Sequence, residues 1–295
     1  MALKALYEVP APAKLNLFLH VVGRRDDGYH LLQSVFVPID WADTLHFERR
    51  DDGLLHRHDL GPALPPDDLA LRAATLLQRE SGTAFGADIS VLKRVPWGAG
   101  LGGGSSDAAT TLLALNRLWG LDWPRSRLLA LAPRLGADVA FFVGGTPAFV
   151  EGIGERLTPI ELPPMTFAVV KPPAAVSTPA IFASPELVRD TEPVIVASFL
   201  ANVGRRPAGG LFGRNDLQPV ARAQCEQVSQ ALAWLEARCG AARMTGSGSA
   251  VFARIDGIGP PAATSAGNVF DTLPAGWVGR WCRSLPEHPL RGWAS

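Results

Sequence analysis

Five glycines fall within the seven positions Gly98 to Gly104, inside the segment Pro96-Trp97-Gly98-Ala99-Gly100-Leu101-Gly102-Gly103-Gly104-Ser105-Ser106-Asp107. A strand-like run, Ala87 to Arg94, precedes it and a helix-like run, Asp107 to Leu118, follows. Each glycine adds backbone entropy to the unfolded chain, on the order of 0.5–1 kcal/mol relative to alanine, and a plain connection needs only one or two. Consecutive glycines let backbone N–H groups turn inward with no Cβ in the way, and the following helix adds its free N–H groups and the positive end of its dipole. That combination is a cradle for phosphate, and a nucleotide is its natural occupant.

Two better-known loops use the same physics. The P-loop pattern G-x-x-x-x-G-K-[ST] fails because Ser105 and Ser106 stand where its lysine would be. The dinucleotide pattern G-x-G-x-x-G does match at Gly98, Gly100 and Gly103, but it needs an acidic residue at the end of a second parallel strand about 20 positions later. Asp122 has that spacing yet lies in Gly120-Leu121-Asp122-Trp123-Pro124, which reads as a helix-to-helix turn.

At 295 residues, with about 150 residues per domain as a guide, the chain suggests two domains sharing a cleft. Hydrophobic residues make up 47% and charged residues 19%, the balance of an ordinary compact protein. The formal net charge is zero, which argues against a nucleic-acid or acidic-membrane partner and makes any phosphate affinity local. Arginine supplies most of the cations, so the four lysines, Lys4, Lys14, Lys93 and Lys171, each carry more information than usual. Cys225, Cys239 and Cys282 form no metal-ligand spacing and suit a reduced cytosol. No signal-peptide pattern or membrane-length apolar run occurs, so a cytoplasmic protein is expected. His56-Arg57-His58 reads as solvated loop rather than a metal site.

Along the chain, Ala13 to Val22 alternates as a half-buried strand, with Lys14, Asn16, Phe18 and His20 on one face. Apolar runs at Val35 to Ile39 and Thr44 to Arg49 extend it into an antiparallel meander. Asp68 to Arg79 and Asp107 to Trp119 have helical apolar spacing, as does Arg125 to Leu135, which Pro124 opens and Gly136 closes. The composition turns proline-rich at Pro159 to Pro164, so the expected division is residues 1–160 and 161–295. In the second part a strand is expected from Thr166 to Val170, a helix from about Leu217 to Cys239, a glycine turn at Thr245 to Ser249 and a strand from Ala250 to Ile255.

Phosphoryl transfer needs a phosphate cradle, a cation and an acidic group beside the acceptor hydroxyl. Lys14 could stabilise charge on a transferring phosphoryl group, and an opposite charge nearby would favour an ionised carboxylate. Asp138 could be that carboxylate, accepting the hydroxyl proton. Pattern alone leaves both open: Lys14 also suits a solvent-facing strand position, and Asp138 a helix cap after Gly136.

Several further segments complete a set: Pro12-Ala13-Lys14-Leu15-Asn16-Leu17, Asp27-Gly28-Tyr29-His30, Leu135-Gly136-Ala137-Asp138-Val139, Asn215-Asp216-Leu217 and Met244-Thr245-Gly246-Ser247-Gly248. Together with Pro96 to Ala109, and in this order, they resemble the 4-diphosphocytidyl-2-C-methyl-D-erythritol kinase family of the GHMP superfamily. The resemblance runs from about Pro12 to Ala253. It implies an α+β, two-domain GHMP kinase fold, with a ribosomal-S5-like N-terminal domain and a ferredoxin-like C-terminal domain. It also implies transfer of phosphate from ATP, accompanied by Mg²⁺, to the 2-hydroxyl of 4-diphosphocytidyl-2-C-methyl-D-erythritol in non-mevalonate isoprenoid synthesis.

By the resemblance, Lys14 and Asp138 are the catalytic pair. ATP would be held by Pro96, Gly98, Ala99, Gly100, Leu101, Gly102, Gly103, Gly104, Ser105 and Ser106, with Asp68 near adenine. The acceptor would be held by Asn16, Tyr29, His30, Thr178, Phe182, Gly246 and Ser247, with Tyr29 and Phe182 sandwiching cytosine and His30 reading its edge. Asp68 replaces a customary Asn and loses the amide donor; Ala140 replaces a customary Pro. Mg²⁺ is expected on phosphates and water, with no protein ligand named, and a monomer or weak dimer is expected. A non-catalytic nucleotide-binding protein, another small-molecule GHMP kinase and a dinucleotide oxidoreductase remain as alternatives.

Overall fold

A computed structural model describes residues 3–203, 211–255 and 269–295. Two sheets organise them. The first is built on a long hairpin, β1 (Ala5–Arg24) and β2 (His30–Arg50), paired antiparallel along their lengths. Then come β3 (Leu55–Asp59), α1 (Leu69–Ser81), β4 (Gly86–Leu92), α2 (Gly103–Leu118), α3 (Arg125–Leu131), α4 (Val139–Gly144), β5 (Ala148–Glu151) and β6 (Arg156–Pro159). The free edge of β2 is shared: β4 pairs with Thr44 to Arg50 and β5 with Ser34 to Phe36. β3 joins β4 in parallel and β6 joins β5 antiparallel.

The second sheet follows β7 (Thr166–Lys171), α5 (Thr178–Ala183), α6 (Val196–Val203), α7 (Gln218–Gln224), α8 (Glu226–Cys239), β8 (Ala242–Met244), β9 (Val251–Ile255) and β10 (Val278–Arg283). Its order is β10-β7-β9-β8, antiparallel throughout. Helices packed on mainly antiparallel sheets make this the α+β arrangement expected.

Several local expectations change. β1 is not half-buried: Lys14, Asn16, Phe18 and His20 are all buried, as are Leu15, Leu17, Leu19 and Val21. Register shifts after Pro12 and Asn16 break the alternation, and the strand runs between packed layers. The two apolar runs after it are one continuous strand, β2. His56-Arg57-His58 is part of β3 rather than loop, because the parallel ladder with β4 satisfies its backbone. The helix expected from Leu217 to Cys239 breaks at Cys225, whose backbone is extended (φ −146°, ψ 101°). No glycine or proline marks that break. Asp122, with φ 51°, does lie in the turn between α2 and α3, so no parallel strand follows the glycine loop.

The chain's end returns to the first layer. Leu290 is buried in the core with Leu112, Phe141 and Val143. Arg125 on α3 ties it down, donating to the carbonyls of Val143 at the end of α4, Arg291 and Ala294. The helix that begins beside Asp138 is therefore braced at its far end by residues near the C-terminus.

Candidate active site

The glycine loop adopts the backbone its sequence calls for. Gly98, Gly100 and Gly102 have φ of 58°, 71° and 72°, the left-handed region that side chains disfavour. Gly100 is also pinned by space, since a Cβ there would lie 2.2 Å from the Thr245 carbonyl oxygen. α2 begins directly after Gly102, so its first N–H groups face the loop. The second glycine turn is stitched to the first: Ser249 N donates to Gly98 O (3.2 Å) and Ala250 N to Ala99 O (3.1 Å).

Two cavities meet across this loop. The larger, about 700 Å³, is lined by Lys14, Asn16, Tyr29, His30, Asp138, Thr178, Phe182, Gly246 and Ser247, among others. The smaller, about 450 Å³, is lined by Asp68, Trp97 and the loop residues Pro96, Gly98, Ala99, Leu101, Gly103, Gly104 and Ser105. Gly100, Gly102, Thr178 and Ser247 border both. The fold thus brings every site residue expected from the sequence to one of two adjoining chambers, except Ser106. That residue lies in the first turn of α2, fully buried, and its Oγ has no hydrogen-bond partner among the described residues.

Lys14 and Asp138 sit where the chambers meet the loop. Lys14 Nζ lies 3.4 Å from Asp138 Oδ2 and donates to Asn16 Oδ1 at 2.6 Å. It also stands 4.5 Å above the Phe36 ring. A buried ammonium without partners would be costly, and these three contacts stabilise it. Asp138 occupies the residue before α4 but makes no capping hydrogen bond, so its side chain remains available toward Lys14. Asn16 is itself fixed: its Nδ2 donates to Ser34 Oγ (3.1 Å) and its N–H to Thr245 Oγ1 (3.0 Å).

Asn215, in the Asn-Asp-Leu segment, has a scaffolding part. Its Nδ2 donates to Met244 O (2.7 Å) and Gly246 O (2.8 Å), holding the second glycine turn. Asp216 accepts from Val21 N at 2.8 Å, tying that segment to β1.

The wall of the smaller chamber rests on residues the motifs did not single out. Arg57 donates to Pro65 O (2.7 Å) and Leu64 O (3.2 Å) and pairs with Asp68 Oδ2 (3.1 Å). Asp68 Oδ1 accepts from Leu71 N (2.8 Å), capping α1. Both Asp68 oxygens are therefore engaged within the protein. Lys93 lies between Asp43 and Asp107, 2.5 Å from Asp107 Oδ2. Burial pushes the Asp107 carboxyl well above the usual carboxylate range, against the pull of Lys93. Burial alone would lower Lys93, but the two carboxylates outweigh it and hold it above its ordinary value. The scarcity of lysine was the available signal for Lys93; nothing in the pattern marked Arg57.

Of the three side chains expected at the cytosine, two touch each other. Phe182 packs on the His30 ring, centroids 4.9 Å apart with 31° between planes, and Tyr29 stands exposed at the rim. Thr178 Oγ1 and Ser247 Oγ are 2.6 Å apart, joining α5 to the second glycine turn.

Comparison with known proteins agrees with this architecture. Residues 68–146 match the GHMP kinases N terminal domain and residues 205–268 the GHMP kinases C terminal model. The chain is 66% identical over 294 residues to a 4-diphosphocytidyl-2-C-methyl-D-erythritol kinase of Methylibium petroleiphilum, covering 100% of both. It is 54% identical to the enzyme of that name from Variovorax paradoxus, covering 99% of this chain and 100% of the relative. A crystal structure of 4-(cytidine 5'-diphospho)-2C-methyl-D-erythritol kinase superposes with TM-score 0.79 at 37% identity, over 94% of this chain and 98% of that one. A homoserine kinase from Cytophaga hutchinsonii, at 17% identity and TM-score 0.66 over 97% and 96%, shares the fold.

Proposed function

Because the chain belongs to the 4-diphosphocytidyl-2-C-methyl-D-erythritol kinase family of GHMP kinases, we propose that Lys14 and Asp138 carry its reaction, transfer of the ATP γ-phosphoryl group to the 2-hydroxyl of 4-diphosphocytidyl-2-C-methyl-D-erythritol. This is the kinase step of the non-mevalonate isoprenoid route. The observation that carries the residue assignment is the meeting of two chambers at the glycine loop, with Lys14 and Asp138 on the acceptor side of the junction.

In this assignment the smaller chamber takes ATP. The loop N–H groups and the start of α2 hold its phosphates, and Trp97 and the wall around Asp68 border its base and ribose. The larger chamber takes the acceptor, its cytosine toward His30, Phe182 and Tyr29 and its methylerythritol unit toward Asn16 and Asp138. Asp138 accepts the proton of the 2-hydroxyl as that oxygen bonds to the γ-phosphorus, and the bond to the bridging oxygen breaks to release ADP. Lys14 offsets the charge gathering on the transferring group, and Asn16 keeps its ammonium aimed at that place.

Mg²⁺ would enter with the nucleotide and neutralise phosphate charge. No group of three or more His, Cys, Asp or Glu side chains able to hold a metal occurs among the described residues. Such an ion would be held chiefly by phosphate and water. Residues 1–160 and 161–295 would act as the two domains, the second contributing Thr178, Phe182 and the Thr245 to Ser249 turn. Among the described residues no helix is long and apolar enough to cross a membrane.

The test is ADP release from ATP and Mg²⁺ with and without the cytidine-linked acceptor, with phosphorus NMR to locate the new ester. Acceptor-dependent ADP with phosphate on the 2-hydroxyl is the expected result. ATP binding without acceptor-dependent turnover would refute it.

A further inference from the structure

Arg189 lies after α5 and does not line either chamber, yet its guanidinium reaches four acceptors. Nη2 donates to the carbonyls of Phe182 (3.1 Å) and Ser184 (2.7 Å), and Nη1 to Leu187 O (2.9 Å). Nε points to His30 Nε2 at 3.0 Å.

The last contact decides the chemistry of His30. An arginine side chain can only donate, so Nε2 must present a lone pair. An imidazole that accepts at Nε2 is neutral and carries its one proton on Nδ1, the tautomer less favoured for a free histidine in water. Burial, then the neighbouring Arg189 and Arg24 guanidinium groups, hold His30 below the ordinary imidazole value, so the ring stays neutral near pH 7. The same guanidinium grips the Phe182 carbonyl, and the Phe182 ring packs on His30. One side chain therefore orders both residues.

We infer that Arg189 is a positioning residue for nucleobase selection: it locks His30 as the Nδ1–H tautomer and anchors Phe182 beside it, so that the larger chamber offers a fixed donor next to an aromatic face. This rests on the proposed assignment of His30 and Phe182 to the base of the acceptor. A fixed donor suits cytosine, whose ring N3 accepts, and opposes uracil, whose N3 carries a hydrogen. A histidine free to exchange tautomers would serve either base.

The lock is read without substrate, by two-bond proton–nitrogen correlation spectra of the ¹⁵N-labelled protein, with His30 assigned through His30→Gln. The wild type should show an Nδ1–H, Nε2-acceptor pattern. Arg189→Met should move it toward Nε2–H. It should also raise KM for the cytidine acceptor roughly three- to ten-fold, the worth of one directed hydrogen bond. Turnover and KM for ATP should stay within about two-fold, and preference over the uridine analogue should narrow. Arg189→Lys, which keeps the charge but not the fork, should not restore the wild-type pattern. An Nε2–H pattern in the wild type overturns the inference, and needs no variant to fold. An altered tautomer with unchanged acceptor KM overturns it too, by removing His30 from the base subsite while leaving Lys14 and Asp138 untouched.

Discussion

Lys14 Nζ and Asp138 Oδ2 lie 3.4 Å apart, the one deep within β1 and the other at the start of α4. The lysine backbone is tied directly to the glycine loop, since Lys14 N donates to Leu101 O there at 2.9 Å. The cation, the carboxylate and the glycine loop are thus one mechanical unit. Asp138→Asn keeps the shape but removes the proposed base, and turnover should fall about 10²- to 10⁴-fold while KM for ATP stays within about two-fold. Lys14→Met should cause a comparable loss, and the double variant should lose much less than the product of the two. Multiplicative losses in steady-state kinetics would show that the two act separately.

Gly100 and Gly120 share nearly the same backbone, with φ of 71° and 65°, but not the same surroundings. A Cβ at Gly120 meets nothing within 4 Å, whereas at Gly100 it would collide with the Thr245 carbonyl. Gly120→Ala should cost about 1 kcal/mol from the left-handed conformation alone and leave kinetics unchanged. Gly100→Ala should force the two glycine turns apart and raise KM for ATP at least ten-fold. Urea melts and initial rates on the same pair separate strain from collision; equal effects would mean that the Thr245 contact is unimportant.

Arg57 should matter to nucleotide binding despite standing on an edge strand. Its contacts with Asp68, Leu64 and Pro65 shape the chamber wall, and Arg57→Leu leaves Asp59 and Asp68 without their cation. The expected result is about 1–3 kcal/mol of lost stability and a several-fold rise in KM for ATP, with the acceptor KM unchanged. An acceptor effect equal to the ATP effect would point to general loosening instead.

His288 supplies a pH dependence. It is buried, its Nδ1 accepts from Leu290 N at 3.1 Å, and burial, helped by Arg125, lowers its pKa to about 4. Above about pH 6.5 the imidazole is neutral whether the chain is folded or not, and it contributes no pH slope. Below that, the unfolded chain takes up a proton that the fold refuses, so stability falls as pH drops. The loss reaches about 3 kcal/mol near pH 4 and then levels off. Thermal melts between pH 7 and 4 should show this slope, and His288→Gln should flatten it. An unchanged slope in the variant would place the acid sensitivity elsewhere.

The residue sequence by itself determined the parts that depend on local backbone physics. The glycine density of Gly98 to Gly104 dictates left-handed turns before a helix start, and the apolar spacing after Asp68 and after Asp107 marks two amphipathic helices. The ordered motifs around Lys14, Asp138 and Thr245 marked the family because their spacing is preserved along the chain. What only the tertiary structure decided are relations between distant segments. Arg57 looks like a solvated arginine until β3 pairs with β4 and turns it toward Asp68. Arg189 is unremarkable until the chain folds back and brings His30 to its guanidinium. The break at Cys225 has no glycine or proline to announce it. Each depends on packing and hydrogen-bond partners far away in sequence, and periodicity reports only which face of an element is apolar, not what that face will meet.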